Sequence, residues 1–97
     1  MSTDVSATKI NQFRPDYTVS PGEILKETLE ARGIKKADFA AMCGLPVKTV
    51  MQIIRGKEPV TPETAILFER ELGVPAYVWN SIESSYRFHL AGVLSAT

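Results

Sequence analysis

The sequence predicts an all-α fold, a compact bundle of five helices. Hydrophobic residues recur at helical spacing in five segments, and no segment alternates with the two-residue period of a strand. Prolines open four of the segments and a glycine follows each of the five, which is the usual asymmetry of helix ends. These are Pro21, Pro46, Pro62 and Pro75, and Gly33, Gly44, Gly56, Gly73 and Gly92.

The composition is that of one globular domain. A chain of 97 residues with 44% hydrophobic residues is large enough for a modest core without disulfides or metal. The single cysteine, Cys43, permits no internal disulfide, and its apolar helical setting predicts a buried, inert thiol. We find neither a run like a signal peptide nor a segment of membrane-spanning length, so the sequence predicts a cytoplasmic protein with no membrane partner.

The first helix follows a polar start. Residues 1–18 lack periodicity and are predicted to form a flexible N-terminal arm, tethered by Phe13 and Tyr17. Ser20 and Glu23 then form a capping box, and the helix ends at Gly33. The predicted organisation is an arm at 1–18, a helix-turn-helix domain at 19–92 and a C-terminal tail at 93–97.

The second and third helices are predicted to form a helix-turn-helix, whose second helix can lie in the major groove of DNA. The second helix starts near Lys36 without a good cap, because Lys35 stands at the capping position. Gly44 breaks the pattern, and Pro46 suits the first position of the next helix. The predicted inward residues are Phe39, Ala40 and Cys43, then Val50, Ile53 and Ile54.

The last two helices complete the bundle. Thr61 caps the fourth helix, and Pro75 starts a fifth that is predicted to end near Gly92. Trp79 lies on the inward stripe of the fifth helix and is predicted to be core. Outside that stripe the fifth helix carries further apolar residues, which predict a homodimer interface. They are Tyr77, Val78 and Phe88.

The charges are segregated although the formal net charge is zero. Residues 35–57 carry a local charge of +4, and residues 58–73 carry a local charge of −3. This predicts one side of the protein that faces an anion and another that is acidic. The acidic side comprises Glu23, Glu27 and Glu30 on the first helix with Glu63, Glu69 and Glu71 on the fourth.

Several sequence blocks, in their order, carry a family resemblance. They are Pro21-Gly22-Glu23-Ile24-Leu25, Ile53-Ile54-Arg55-Gly56-Lys57, Val60-Thr61-Pro62-Glu63-Thr64-Ala65, Leu72-Gly73-Val74-Pro75 and Trp79-Asn80-Ser81-Ile82. On these blocks the chain resembles the XRE (lambda-repressor-like) helix-turn-helix superfamily, and more closely the HigA/VapI-type antitoxins. The resemblance implies a dimer that binds its own promoter as an autorepressor. It also implies a partner, a small basic toxin that cleaves mRNA, which this protein neutralises.

The start of the predicted recognition helix departs from that family. Family members commonly place a serine and then polar residues where this chain has Pro46 and Val47, and a polar residue is frequent where it has Met51. Proline has no N–H to donate to a phosphate. The departure bears on how tightly and how specifically the chain reads bases.

The side of the third helix opposite the core predicts the DNA contacts. Lys48 can donate to guanine or to phosphate, and Gln52 can make a bidentate contact with adenine. Thr49 and Met51 can touch a thymine methyl group. Val47 either touches a thymine methyl group or is buried in the turn. The predicted phosphate contacts are Lys36, Arg55 and Lys57.

An enzyme is the least favoured class. With His89 as the only histidine there is no H-E-x-x-H motif and no convincing triad, so we expect no catalytic residue, no metal and no cofactor. Two other functions remain open. One is a stand-alone XRE-type regulator without a toxin, and the other is a protein-interaction module with weakened DNA binding.

Overall fold

The computed structural model describes the backbone of residues 19–96 and the side chains of residues 19–92. Over this range the chain forms five α-helices, as predicted, and no strand. The predicted arm, with Phe13 and Tyr17, lies outside the described residues. The helices are α1 (Pro21–Arg32), α2 (Lys36–Cys43), α3 (Val47–Ile54), α4 (Pro62–Leu72) and α5 (Ala76–Ala96).

Two helices begin with the predicted caps. The hydroxyl of Ser20 accepts a hydrogen bond from the Glu23 N–H at 3.2 Å, and that of Thr61 accepts one from the Thr64 N–H at 3.2 Å. Each satisfies one of the backbone donors that a helix start leaves unpaired, typically worth about 1 kcal/mol. The first turn of α2 has no side-chain cap at Lys35, also as predicted.

Three predicted helix boundaries differ from the structure. The prediction that α5 ends near Gly92 is wrong, because the helix continues to Ala96 and Gly92 lies inside it without a positive φ. A glycine weakens a helix by about 1 kcal/mol relative to alanine, which does not suffice to end one. Pro46 and Pro75 are one residue outside α3 and α5, and their carbonyls accept the first helical hydrogen bonds from the N–H groups of Val50 and Trp79.

The core lies where the faces of all five helices meet. An aromatic series joins three of them: the rings of Phe39 and Phe68 are 5.3 Å apart, and those of Phe68 and Trp79 are 5.2 Å apart in an edge-to-face arrangement. Trp79 is fully buried, which confirms it as a core residue. The rest of the core comprises Leu25, Leu29, Ala40, Cys43, Val50, Ile53, Val60, Ala65 and Leu72.

None of the described helices is by itself long and apolar enough to span a membrane; only α2 and α3 taken together, with their 117° bend, have that length and composition.

Candidate nucleic-acid interface

The joint between α2 and α3 has helix-turn-helix geometry. Gly44 adopts φ +73°, the left-handed conformation that ends α2 abruptly. Its N–H donates to the Ala41 carbonyl at 3.1 Å, and the Leu45 N–H donates to the Ala40 carbonyl at 2.9 Å. The chain then turns by 117° into α3, within the range typical of this motif. Ala40 is fully buried, and its small side chain lets the two helices cross closely.

The inward side of α3 fixes which of its side chains face outward. Val50 and Ile53 are buried in the core and Ile54 packs against it, as predicted. Among the predicted base contacts only Lys48 is exposed. Thr49, Met51 and Gln52 are half-buried at the borders of the outward face. Lys48 is therefore the most exposed of the predicted base contacts.

Gln52 adopts a conformation in which the oxygen of its side-chain amide is not available to a base. Its Oε1 atom is buried and has no hydrogen-bond partner among the described residues. A bidentate contact with adenine needs both the oxygen and the nitrogen of that amide. Turning the amide by 180° would bury the nitrogen instead, so the predicted adenine contact requires Gln52 to change rotamer.

The cationic residues after α3 surround its C-terminal end. Arg55 and Lys57 are exposed, and Gly56 between them has φ +77°. The Lys57 N–H donates to the Gln52 carbonyl at 2.8 Å, which fixes the backbone of Lys57 next to the last turn of α3. Lys36, the third predicted phosphate contact, is half-buried at the start of α2.

Helix α5 supports the loop that carries Lys57, a feature the sequence analysis missed. The Glu83 carboxylate accepts a hydrogen bond from the Val60 N–H at 3.0 Å and forms an ion pair with Arg87. A Cβ added at Gly56 would lie 3.9 Å from the Tyr86 hydroxyl, so Tyr86 reaches the same loop. Nothing in the sequence links Glu83 to Val60, which is 23 residues away.

The beginning of α1 packs against the end of α3, a second contact that the sequence analysis missed. A Cβ added at Gly22 would lie 2.1 Å from the Ile53 carbonyl oxygen and 2.7 Å from that of Ile54. Only glycine permits this approach, because any side chain would overlap backbone atoms. The sequence contains one signal that could have revealed this contact. It is a glycine in the first turn of a capped helix, where no reverse turn requires a glycine.

Other groups of chemical interest are few within residues 19–92. Burial raises the pKa of the Cys43 thiol to about 11, and the negative charge of Glu71 adds to the shift. The thiol is thus protonated at neutral pH, in line with the inert role predicted for it. No cluster of three or more His, Cys, Asp or Glu side chains in this range could hold a metal ion.

Helices α2 and α3 are joined by this turn, and cationic residues lie on α3 and after it. This arrangement defines a helix-turn-helix protein. Residues 25–79 match the model of a family described as Helix-turn-helix, and that span is more than half of the chain. The protein belongs to this family, whose helix-turn-helix is of the XRE type, as the sequence predicted.

Solved structures and a sequence relative point the same way. Antitoxin HigA of Pseudomonas aeruginosa, solved with the higBA promoter, is 28% identical with a TM-score of 0.78, over 81% of this chain and 87% of that one. PA4674 of the same organism, in complex with its 28-bp operator DNA, is 26% identical with a TM-score of 0.78, over 81% and 88%. The HTH-type transcriptional regulator YddM of Escherichia coli K12, described as uncharacterized, is 26% identical over 66 residues, which are 68% of this chain and 70% of that protein.

Proposed function

We propose that this protein is a sequence-specific DNA-binding antitoxin, which represses its own promoter as a homodimer and neutralises a small basic toxin. The main observation behind the proposal is that Lys48 is exposed on α3, while the opposite side of this helix is buried in the core. The likeness to HigA with its promoter and to PA4674 with its operator supports DNA as the ligand.

In the proposed complex the outward face of α3 enters the major groove. Lys48 donates to guanine, and Gln52, Thr49 and Met51 contact the neighbouring base edges. Arg55, Lys57 and Lys36 contact phosphates beside the groove. The fixed backbone of Lys57 supports its role, since it holds the start of this exposed side chain beside the end of α3.

The test is a gel-shift titration on the protein's own upstream region and on random duplex. Replacing Lys48 and Gln52 with alanine should abolish the preference for the promoter without loss of helix, whereas replacing Lys26 with alanine should leave it intact. Lys26 is the matched control, because it is an exposed lysine on α1 whose only ion pair within residues 19–92, with Glu30, spans 3.9 Å. Equal affinity of the unmodified protein for both duplexes would refute the proposal.

Phosphate contacts are distinguished from base contacts by salt. Replacing Lys57 with alanine should weaken binding to every sequence and lower the slope of log K against log salt by about one unit. Replacing Arg55 should act in the same way. If either variant changed the promoter preference instead, the replaced residue would be a base contact rather than a phosphate contact.

The proposed dimer uses α5. One recognition helix covers only a few base pairs, so a repressor of this size needs two, spaced about 34 Å apart to meet successive major grooves. Tyr77 is 72% exposed and Phe88 is 82% exposed on α5, and a shallow open groove lies on the same helix beside Tyr77. Two aromatic side chains this exposed on one helix favour a protein contact. The groove is lined by Tyr77, Asn80, Ser81, Ser84 and Ser85.

The proposed toxin contact uses the acidic side of the protein, on α1 and α4. Two of its carboxylates already serve the fold. Glu69 accepts a hydrogen bond from the Ala76 N–H at 2.9 Å, and Glu71 pairs with Arg70 at 2.9 Å. The carboxylates that we propose to meet a basic partner are the exposed ones on α1 and at the start of α4, one of which, Glu30, forms only the long 3.9 Å ion pair with Lys26. They are Glu23, Glu27, Glu30 and Glu63.

Co-expression with the small basic protein encoded next to this chain tests the toxin contact. A stable complex is expected, and changing Glu27, Glu30 and Glu63 to lysine should slow its association, most strongly at low salt. Glu69 and Glu71 are kept, since their loss would also disturb the fold. A complex that is insensitive to these reversals places the contact elsewhere. If no such neighbour is encoded, the stand-alone regulator becomes the better description.

A further inference from the structure

Helix α3 begins with an exposed aliphatic side chain. Val47 is its first residue and is 46% exposed, which resolves the alternative that the turn buries it. It is one of five large hydrophobic side chains that are strongly exposed within the described residues, and no other lies on α3. The preceding residue, Pro46, offers neither an N–H nor a side-chain cap at this helix start.

The position of Val47 brings it close to the bases in the proposed complex. The N-terminal residues of a recognition helix contact base edges, and Val47 directly precedes the exposed Lys48. Met51 follows one turn later, on the same side of the helix, and is half-buried. The two side chains form an apolar border beside the lysine.

The chemical groups in the major groove determine which of them can pack against these two apolar side chains. Most groups on its floor are hydrogen-bond donors or acceptors, and pressing valine against them would strip their water without replacing its hydrogen bonds. The one apolar group that an unmodified base pair presents there is the C5-methyl group of thymine.

We propose that Val47 is a specificity-determining residue that packs on the C5-methyl group of a thymine and so selects a T·A pair under the start of α3. This inference rests on the proposed function, because it takes α3 to lie in the major groove. It assigns to the operator a feature that Lys48 and Gln52 do not read, a methyl group.

The decisive experiment changes the methyl group and the valine separately. In the promoter duplex each thymine is replaced in turn by deoxyuridine, which removes only the methyl group, and the dissociation constant is measured by fluorescence anisotropy. One position in each half-site should lose about fourfold in affinity, the effect expected for one buried methyl group. In the Val47→Ala protein the same replacement should have no effect at that position.

Two controls make the result specific. Ile66→Ala removes an exposed aliphatic side chain from α4, 60% exposed, and should leave the deoxyuridine profile unchanged. Changing the sensitive pair to C·G should weaken binding, and 5-methylcytosine at the same place should restore part of it. Far-ultraviolet circular dichroism verifies that Val47→Ala keeps its helices.

The possible failures are distinguishable. If Val47→Ala retains the full deoxyuridine sensitivity at every position, or if no position is sensitive in a protein that prefers its promoter, the inference is wrong and the proposed function stands. If the unmodified protein binds promoter and random duplex equally, the proposed function itself fails.

Discussion

At Gln52 the requirements of folding and of recognition conflict within one side chain. Its buried, unpaired Oε1 atom carries a desolvation cost of about 1–3 kcal/mol. We expect Gln52→Met, which keeps the length and removes the polar atoms, to raise the free energy of unfolding by about 1 kcal/mol. The same variant should lose promoter preference, since methionine cannot donate to a base. Urea unfolding and gel shift on one preparation measure both effects.

The opposite result would be informative at the same site. A Gln52→Met protein that is less stable than the parent would show that the amide oxygen has a hydrogen-bond partner in solution, such as a buried water molecule. Lys48→Met is the matched control, because Lys48 is exposed on the same helix and its replacement removes a base donor without relieving any buried atom.

Cys43 predicts a pH dependence of stability. Its pKa rises from 9.0 to about 11 on folding, so the folded state holds the thiol proton more tightly than the unfolded state. The thiol contributes its full share of stability below about pH 9, and that share, roughly 2–3 kcal/mol, is lost as the pH rises from about 9 to 11. Urea titrations across this range should show a steeper decline for the parent than for Cys43→Ala. Parallel declines would contradict the prediction.

At the scale of the helices, Gly22 is the residue that lets α1 meet α3. Gly22→Ala should destabilise the protein by about 1–3 kcal/mol, because the new Cβ overlaps the Ile53 carbonyl oxygen and the two helices must separate. For a domain of this size that lowers the melting temperature by about 4–8 °C per kcal/mol. Because α3 itself is displaced, promoter affinity should fall as well, even in protein that remains folded.

The chain contains a matched control for that change. Gly92→Ala makes the same substitution inside α5, where an added Cβ meets nothing within 4 Å. It should stabilise the protein by about 0.5–1 kcal/mol, through the better helix propensity of alanine. Thermal unfolding of the two variants should therefore shift in opposite directions. Stabilisation by both would mean that propensity rather than packing governs residue 22.

The helices were predictable wherever the signal lies close in sequence. Ser20 and Thr61 cap their helices through residues three positions away, so a short motif contains all the chemistry. The end of α5 was not predictable from Gly92, since whether a glycine ends a helix depends on the conformation around it. The α1–α3 contact joins residues about thirty positions apart, and only the folded chain brings them together.

At the scale of the whole molecule, the sequence predicts which side of α3 forms the site, but the detailed geometry of the site depends on the folded chain. The periodicity of Val50 and Ile53 is enough to predict which side of α3 faces outward. The exposure of Val47, the buried amide oxygen of Gln52 and the support from Glu83 are not encoded in any local pattern. They arise from how far each side chain reaches toward atoms of other helices.

The proposed dimer is a prediction about the molecule as a whole. Replacing Tyr77 and Phe88 with serine should give a monomer, since both side chains are more than 70% exposed and contribute little to the fold of a single chain. The monomer should keep weak, nonspecific DNA binding and lose the affinity that two linked half-sites provide. Light scattering at micromolar concentration reads the mass, with Ile66→Ser as an exposed apolar control on α4. A parent protein that stays monomeric on DNA contradicts the dimer.

Trp79 gives the protein a built-in optical reporter. It is the only tryptophan in the chain, it is fully excluded from water, and its ring meets the edge of Phe68. Its emission should therefore be blue-shifted in the native state and move to longer wavelength when the core opens. Since Trp79 is not part of the outward face of α3, duplex binding should leave that emission nearly unchanged. A defect in folding and a defect in binding thus have separate spectroscopic signatures in each variant.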